Sequence, residues 1–220
     1  TINSRNMYPP RVKDLNSRIN ILHSYGWEET QINQEWIDEF NCSLQGITVM
    51  SEMVKRILID NGFYKPITVS SLGVEHIIKT GIEYYSLNAK KFKFLHISSC
   101  FPRKGIDILL DAYGQIFTKS DDVSLIIKTF PNPHNNIESK LQDLKKKYPN
   151  FPDVIYIDDD LRQEQIHSLY KQCDVLIAPS YGEGFGFPIA EAMLLKLPVI
   201  TTNWGGQLDF CNSENSWLID

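Results

Sequence analysis

The chain has no apolar run near the roughly 20 residues that a membrane-crossing helix needs, and no signal peptide is visible at its start. Cysteine is scarce: Cys42, Cys100, Cys173 and Cys211 are scattered, without a C-x-x-C pair. That spacing disfavours a zinc site and leads us to expect reduced, mostly buried thiols of a cytosolic protein. Positive charge is in deficit, with 22 Lys and Arg against 27 Asp and Glu and a net charge of -5, the wrong sign for a nucleic-acid binder. Repeats and low-complexity segments are absent, and so is an initiator methionine. The chain opens on a polar stretch, Thr1 to Asn6, so a piece of a longer protein is expected. What is present is 220 residues of 42% hydrophobic content, enough for one large or two small packed domains.

The hydrophobic pattern is that of alternating strands and helices. Short strands are expected over residues 19–23, 47–50 and 67–70. Between them, Trp36, Ile37, Phe40 and Leu44 recur at helical spacing over 34–45, and Ser51 is a good N-cap for a helix ending at Asn61 before Gly62. Residues 72–75 read as a loop. Beyond it, strands over 92–97, 123–127, 154–157, 174–178 and 199–201 alternate with helices over 104–117, about 135–147, about 163–172 and 187–196. Residues 217–219 read as another short strand. This order predicts an α/β protein with a doubly wound parallel sheet covered on both faces. Ligands of such sheets sit at the carboxyl ends of the strands.

The most informative stretch, residues 179–193, lies at one of those ends and reads P-S-Y-G-E-G-F-G-F-P-I-A-E-A-M. Gly182, Gly184 and Gly186 leave no side chain in the way of a ligand. Pro188 suits the first helical position, where free amides and the helix dipole favour an anion. Glu191 is then expected in the first helical turn. Carboxylates accept hydrogen bonds, so Glu183 and Glu191 can each hold hydroxyl groups. On its own a lone Gly-x-Gly is weak evidence, and the plain alternative is an ordinary strand-to-helix turn.

The whole run resembles the donor-site signature of glycosyltransferase family four, of the two-domain GT-B fold: P-S-x-x-E-G-F-G-x-P-x-x-E-A-M, with every fixed position present. The resemblance implies that Glu183 contacts the donor sugar, that Glu191 contacts the ribose of its nucleotide, and that the turn of Gly184, Phe185, Gly186 and Phe187 lies against sugar and phosphate. Residues 1–72 resemble the C-terminal part of the acceptor-side domain, and residues 73–220 a nucleotide-sugar-binding domain truncated at its C-terminus.

Three further places carry candidate chemistry. Arg103 and Lys104, in the segment 101–105, are placed by the pattern at a helix N-terminus, which is unfavourable for cations unless an anion binds there. A solvated basic turn is the plain alternative. The family's loop reads G-R-x-x-x-x-K-G; Lys104 and Gly105 match, Ser99 falls at the arginine position, and Arg103 is the substitute. Residues 201–209 resemble the family's T-x-x-G-G-x-x-E, with Asp209 in place of glutamate, so Gly205 and Gly206 are expected to bring backbone amides to the donor. His23, expected to end its strand, and Glu28 are weaker acceptor-side candidates. His76, His96, His134 and His167 show no partner in sequence. The run Asp158 to Asp160 invites a metal, but a solvated loop that favours helix initiation is the better account, with a place near the nucleotide base as the other reading by position, and the family resembled needs no metal or other cofactor.

The expectation is therefore a retaining glycosyltransferase acting from a nucleoside diphosphate sugar, in polysaccharide, glycolipid or glycoprotein synthesis. Its acceptor would be a carbohydrate, a lipid-linked group or a protein. Lys104 and Arg103 would neutralise the leaving diphosphate while Glu183 holds the sugar. A cytoplasmic location is expected, with peripheral contact at the inner face of the membrane, through regions outside this chain, left open. The alternative is a non-catalytic nucleotide-sugar-binding module. A dehydrogenase-type site is disfavoured, because no G-x-G-x-x-G follows the strand ending at Ile97.

Overall fold

The computed structural model describes residues 1–133 and 135–220, which leaves His134 outside the described residues. The chain divides into two compact units. The first comprises Thr1–Gly73, Gly182–Gly186 and Trp204–Phe210; the second comprises Val74–Tyr181, Phe187–Asn203 and Cys211–Asp220.

The first unit is built on a four-stranded parallel sheet in sequential order: β1 (Ile2–Arg5), β2 (Ile19–Tyr25), β3 (Gly46–Val49) and β4 (Ile67–Val69). Its helices are α1 (Gln34–Ser43) and α2 (Glu52–Asp60). Asn33 caps α1 by accepting from the Glu35 amide, and Ser51 caps α2 by accepting from the Val54 amide, each satisfying a donor that the first turn leaves unpaired. Helix α2 ends ahead of Gly62, whose φ is 93°. Ile37 and Phe40 of α1 and Val54 and Leu58 of α2 pack with Leu22, Ile47 and Val49 from the strands. Full burial of each such side chain contributes about 1.5–3 kcal/mol. Strand β1 departs from expectation, since the polar opening of the chain was assigned no strand. It is an edge strand with half-exposed side chains, so it carries no apolar pattern.

The second unit is a six-stranded sheet: β5 (Phe92–Ile97), β6 (Val123–Lys128), β7 (Asp153–Ile157), β8 (Val175–Ala178), β9 (Val199–Thr202) and β10 (Trp217–Ile219). All pairings are parallel, in the order β10-β9-β8-β5-β6-β7. Its helices are α3 (His76–Lys79), α4 (Ile106–Ile116), α5 (Ile137–Lys147), α6 (Gln163–Gln172) and α7 (Phe187–Leu194). Ile106, Leu109, Leu110 and Tyr113 of α4, with Ile137 and Leu141 of α5, cover Leu125 and Ile127 of β6. The four-residue α3 lies just after the expected loop and was not anticipated. The strand order reverses between β5 and β8, the place where doubly wound sheets open a crevice for ligands. No helix among the described residues is long and apolar enough to cross a membrane.

Candidate functional site

Within the second unit, the loops that leave β5 and β8 are stitched together. After β5 the chain passes Cys100, whose φ is 53°, and a 3₁₀ turn over Pro102–Lys104; Gly105 follows with φ 68°, and α4 begins at Ile106. Arg103 and Lys104 thus sit in a separate 3₁₀ turn immediately ahead of the Gly105 cap of α4, not inside a helix beginning at residue 104 as expected. Their backbone is fixed by the neighbouring loop: the Tyr181 amide donates to the Arg103 carbonyl at 2.8 Å. A Cβ at Gly105 would lie 2.0 Å from the Pro179 carbonyl oxygen, so only glycine allows this approach. The Ser99 carbonyl accepts from the Asn132 side chain at 3.0 Å. Behind this loop, His96 Nε2 pairs with Ser98 Oγ at 2.8 Å, and Nδ1 with the Ile177 carbonyl at 2.9 Å.

Glu191 departs from expectation in a way that matters. Helix α7 starts at Phe187, so Pro188 is its second residue and Glu191 its fifth, beyond the first turn. The dipole at the helix start falls off within that turn, and the carboxylate is held by side chains instead. Tyr170 Oη donates to Glu191 Oε2 at 2.8 Å, and His76 Nε2 pairs with Oε1 at 2.8 Å. His76 therefore has a partner that sequence did not reveal. Burial, and then the neighbouring carboxylate, push the Tyr170 phenol well above its ordinary pKa, so it remains a hydrogen-bond donor.

Within the first unit, the two glycine turns pack on each other. The Gly206 amide donates to the Glu183 carbonyl at 2.7 Å, and a Cβ at Gly206 would lie 2.1 Å from the Gly184 oxygen. That amide, expected to face a donor, is engaged by the other turn, so the contribution of Gly206 is close packing. Gly205 and Gly186 have φ of 131° and 92°, conformations that favour glycine. Ser51 Oγ donates to the Gly184 carbonyl at 2.7 Å. Phe185 is buried with its ring 5.3 Å from that of Phe210, whereas Phe187, in the second unit, is exposed. Glu183 is 8% exposed. Asp209, at the family's glutamate position, accepts from the Glu52 amide at the start of α2.

The acceptor-side candidates are placed less tightly. His23 lies inside β2, which runs on to Tyr25, and does not end the strand; its Nδ1 pairs with Ser4 Oγ of β1 at 2.7 Å. The Glu28 carbonyl faces Gly182, where a Cβ would lie 2.4 Å away. In the second unit, Asp158, Asp159 and Asp160 are exposed after β7. Among the described residues no group of three or more His, Cys, Asp or Glu is arranged to hold a metal ion. The Asp run lends favourable charge to Lys128 at the end of β6, a buried lysine whose pKa burial pulls below the ordinary value.

The model of the family described as "Glycosyl transferases group 1" matches residues 80–220. The chain belongs to this family.

Several related proteins agree with the assignment. The chain is 26% identical over 187 residues to the capsular polysaccharide biosynthesis glycosyltransferase CapM of Staphylococcus aureus, covering 79% of the chain and 48% of that protein. It is 31% identical over 107 residues to the serotype-specific mannosyltransferase WbdA of Escherichia coli, covering 49% of the chain and 13% of that protein. The chain therefore spans less than half the length of these relatives. Among solved structures, Anabaena Alr3699/HepE in complex with UDP and glucose superimposes with a TM-score of 0.70 at 19% identity, over 91% of this chain and 57% of that one. A sucrose-phosphate synthase from Thermosynechococcus elongatus gives 0.68 at 20% identity, over 91% and 54%. The likeness is one of fold, an α/β architecture of parallel sheets of the GT-B type.

Sequence reasoning about this group 1 chain missed Tyr170, His76 and Ser51 as partners of the signature residues. Tyr170 lies on the buried face of α6 and looks like an ordinary core aromatic. Ser51 was legible as a helix cap, but its bond to Gly184 crosses 133 residues.

Proposed function

We propose that the full-length protein is a retaining glycosyltransferase that moves a sugar from a nucleoside diphosphate sugar to an acceptor hydroxyl on a carbohydrate, a lipid-linked group or a protein. The observation that carries this reading is the complete signature at residues 179–193, whose opening residues Pro179 and Tyr181 lie against the cationic loop that follows β5. In the reaction, the bond from the sugar C1 to the diphosphate breaks and the diphosphate leaves with the electron pair. The acceptor oxygen bonds C1 from the same face, and its proton passes to a diphosphate oxygen. Lys104 and Arg103 stabilise the charge that develops on the leaving group, the kind of term that is usually largest in catalysis. Glu183 holds the sugar and Glu191 the ribose, and Ser99, Gly205 and the residues from Gly184 to Phe187 are each assigned to donor binding by the resemblance of their motifs. His23 and Glu28 are the acceptor-side residues of this reading. The complex of HepE with UDP-glucose lends support to a nucleotide-sugar donor.

The test is a thermal-shift and turnover panel of UDP-, GDP- and ADP-sugars on the full-length protein. One donor class should raise the apparent stability and be turned over. Lys104→Ala should lower kcat by about 10²–10³-fold, the scale of losing one preorganised stabiliser of developing charge. Nucleotide binding without turnover of any donor would reduce the reading to a non-catalytic nucleotide-sugar-binding module. No shift with any donor would overturn it.

A further inference from the structure

Glu191 offers two oxygens, and each already has one donor from the protein: Tyr170 Oη on Oε2 and His76 Nε2 on Oε1, both at 2.8 Å. An ionised carboxylate has about four lone-pair sites, so two remain, one on each oxygen. That is the number needed to accept from the two neighbouring hydroxyls of a ribose. The two donors come from different elements, Tyr170 from α6 and His76 from the first residue of α3, so they fix the carboxylate in both tilt and rotation. The Tyr170 ring is fully buried, and its hydroxyl lies closer to Glu191 than to the Pro188 carbonyl, at 3.3 Å. His76 is half exposed and is steadied by α3, where Thr80 Oγ1 donates to its carbonyl at 2.8 Å. Either the Nε2–H tautomer or the imidazolium makes the bond.

We propose that Tyr170 and His76 are positioning residues that clamp the Glu191 carboxylate, so that its two remaining lone-pair sites select a nucleotide bearing a free ribose 2′,3′-diol. This rests on the reading of Glu191 as the ribose ligand. Pre-fixing a flexible glutamate spares the ligand the cost of ordering it.

The experiment is isothermal titration of the full-length protein with UDP, GDP and ADP and with the 2′,3′-dideoxy form of each. Tyr170→Phe and His76→Ala should each weaken the best ribonucleotide about tenfold, the scale of one hydrogen bond to a charged group. Binding of its dideoxy form should be unchanged. His76→Gln, whose amide can replace the Nε2–H, should restore most of the loss. A purely structural role would weaken both ligands equally, and that result, or no change in either, overturns the clamp. Since His76 is half exposed, its variants read the clamp even if Tyr170→Phe fails to fold. Glu191→Ala separates the two levels. If it abolishes the preference for ribose and the clamp variants do not, only the clamp falls. If it leaves the preference intact, the ribose reading falls and the clamp with it. Binding of none of the three nucleotides overturns the donor reading itself.

Discussion

The Tyr181 amide donates to the Arg103 carbonyl across 2.8 Å, joining the turn after β8 to the cationic turn after β5. Next to this bond, Gly105 sits against the Pro179 carbonyl with no room for a methyl group. The geometry of the basic turn is thus set by its neighbour as much as by its own residues.

Gly105→Ala should therefore be far more damaging than an ordinary glycine replacement. Its left-handed conformation alone costs an alanine about 1–2 kcal/mol, and the clash at 2.0 Å forces backbone movement on top of that. We expect a total loss above about 3 kcal/mol. Gly62→Ala is the control, because Gly62 also has positive φ but nothing lies within 4 Å of its would-be Cβ; it should lose only about 1–2 kcal/mol. Chemical denaturation of both variants measures the difference, and equal losses would refute the packing argument.

Ser51 performs two tasks in the first unit, capping α2 through the Val54 amide and donating to the Gly184 carbonyl. Ser51→Ala should cost about 1 kcal/mol for the cap and about 1 kcal/mol more for the buried carbonyl left short of a donor. Asn33→Ala removes a cap alone, through Glu35, and should cost about 1 kcal/mol. Urea denaturation midpoints compare the two; matching losses would mean that the bond to Gly184 contributes nothing.

The thiols should divide sharply. Cys42 is exposed, while Cys100, Cys173 and Cys211 are buried. Burial pushes the thiol of Cys173 up to about 12 and that of Cys211 up to about 11, and raises Cys100 as well. A disulfide reagent at pH 8 should consume one thiol per native chain quickly and all four after denaturation. Rapid reaction of two or more native thiols would contradict the burial.

Lys128 should leave a signature in the pH dependence of stability. Burial lowers its folded pKa below 10.5, so between the two values the unfolded chain binds more protons and stability rises with pH. Below the folded pKa the full penalty of burying the ammonium applies. Lys128→Met removes that titration, so its denaturation free energy should climb less toward pH 10.5 than that of the wild type. Parallel pH curves would show that the buried ammonium exerts no such penalty.

The elements that sequence predicts well are those with local cause. Strand β5 coincides with the expected 92–97, and α2 begins after Ser51 as its cap and periodicity indicate. The resemblance at residues 179–193 pointed to the right family, and the alternation of strands and helices to a parallel α/β sheet. What was not legible depends on residues distant in the chain. Strand β1 is defined by pairing with β2 at an edge, and polar residues suffice there. The expected helix already began at residue 187, so the misplacing of Glu191 came from taking Pro188 as the first helical position, where it is the second. Its partners lie 115 and 21 residues away, beyond any periodic pattern.

The pairing of β5 with β8 aligns Phe94 with Val175, positions about eighty residues apart. Each neighbouring strand–helix–strand repeat can form by closing a much shorter loop, whereas this central pairing must gather β6, β7 and their helices first. The entropy of closing a long loop is met before its contacts return anything. The Gly105 to Pro179 fit hangs on that pairing, so a folding chain shapes its cationic turn only when its most non-local strands meet. Protection of the Tyr181 amide from exchange during refolding would then report the closing of the sheet's centre, a late event, not the formation of any single helix or hairpin.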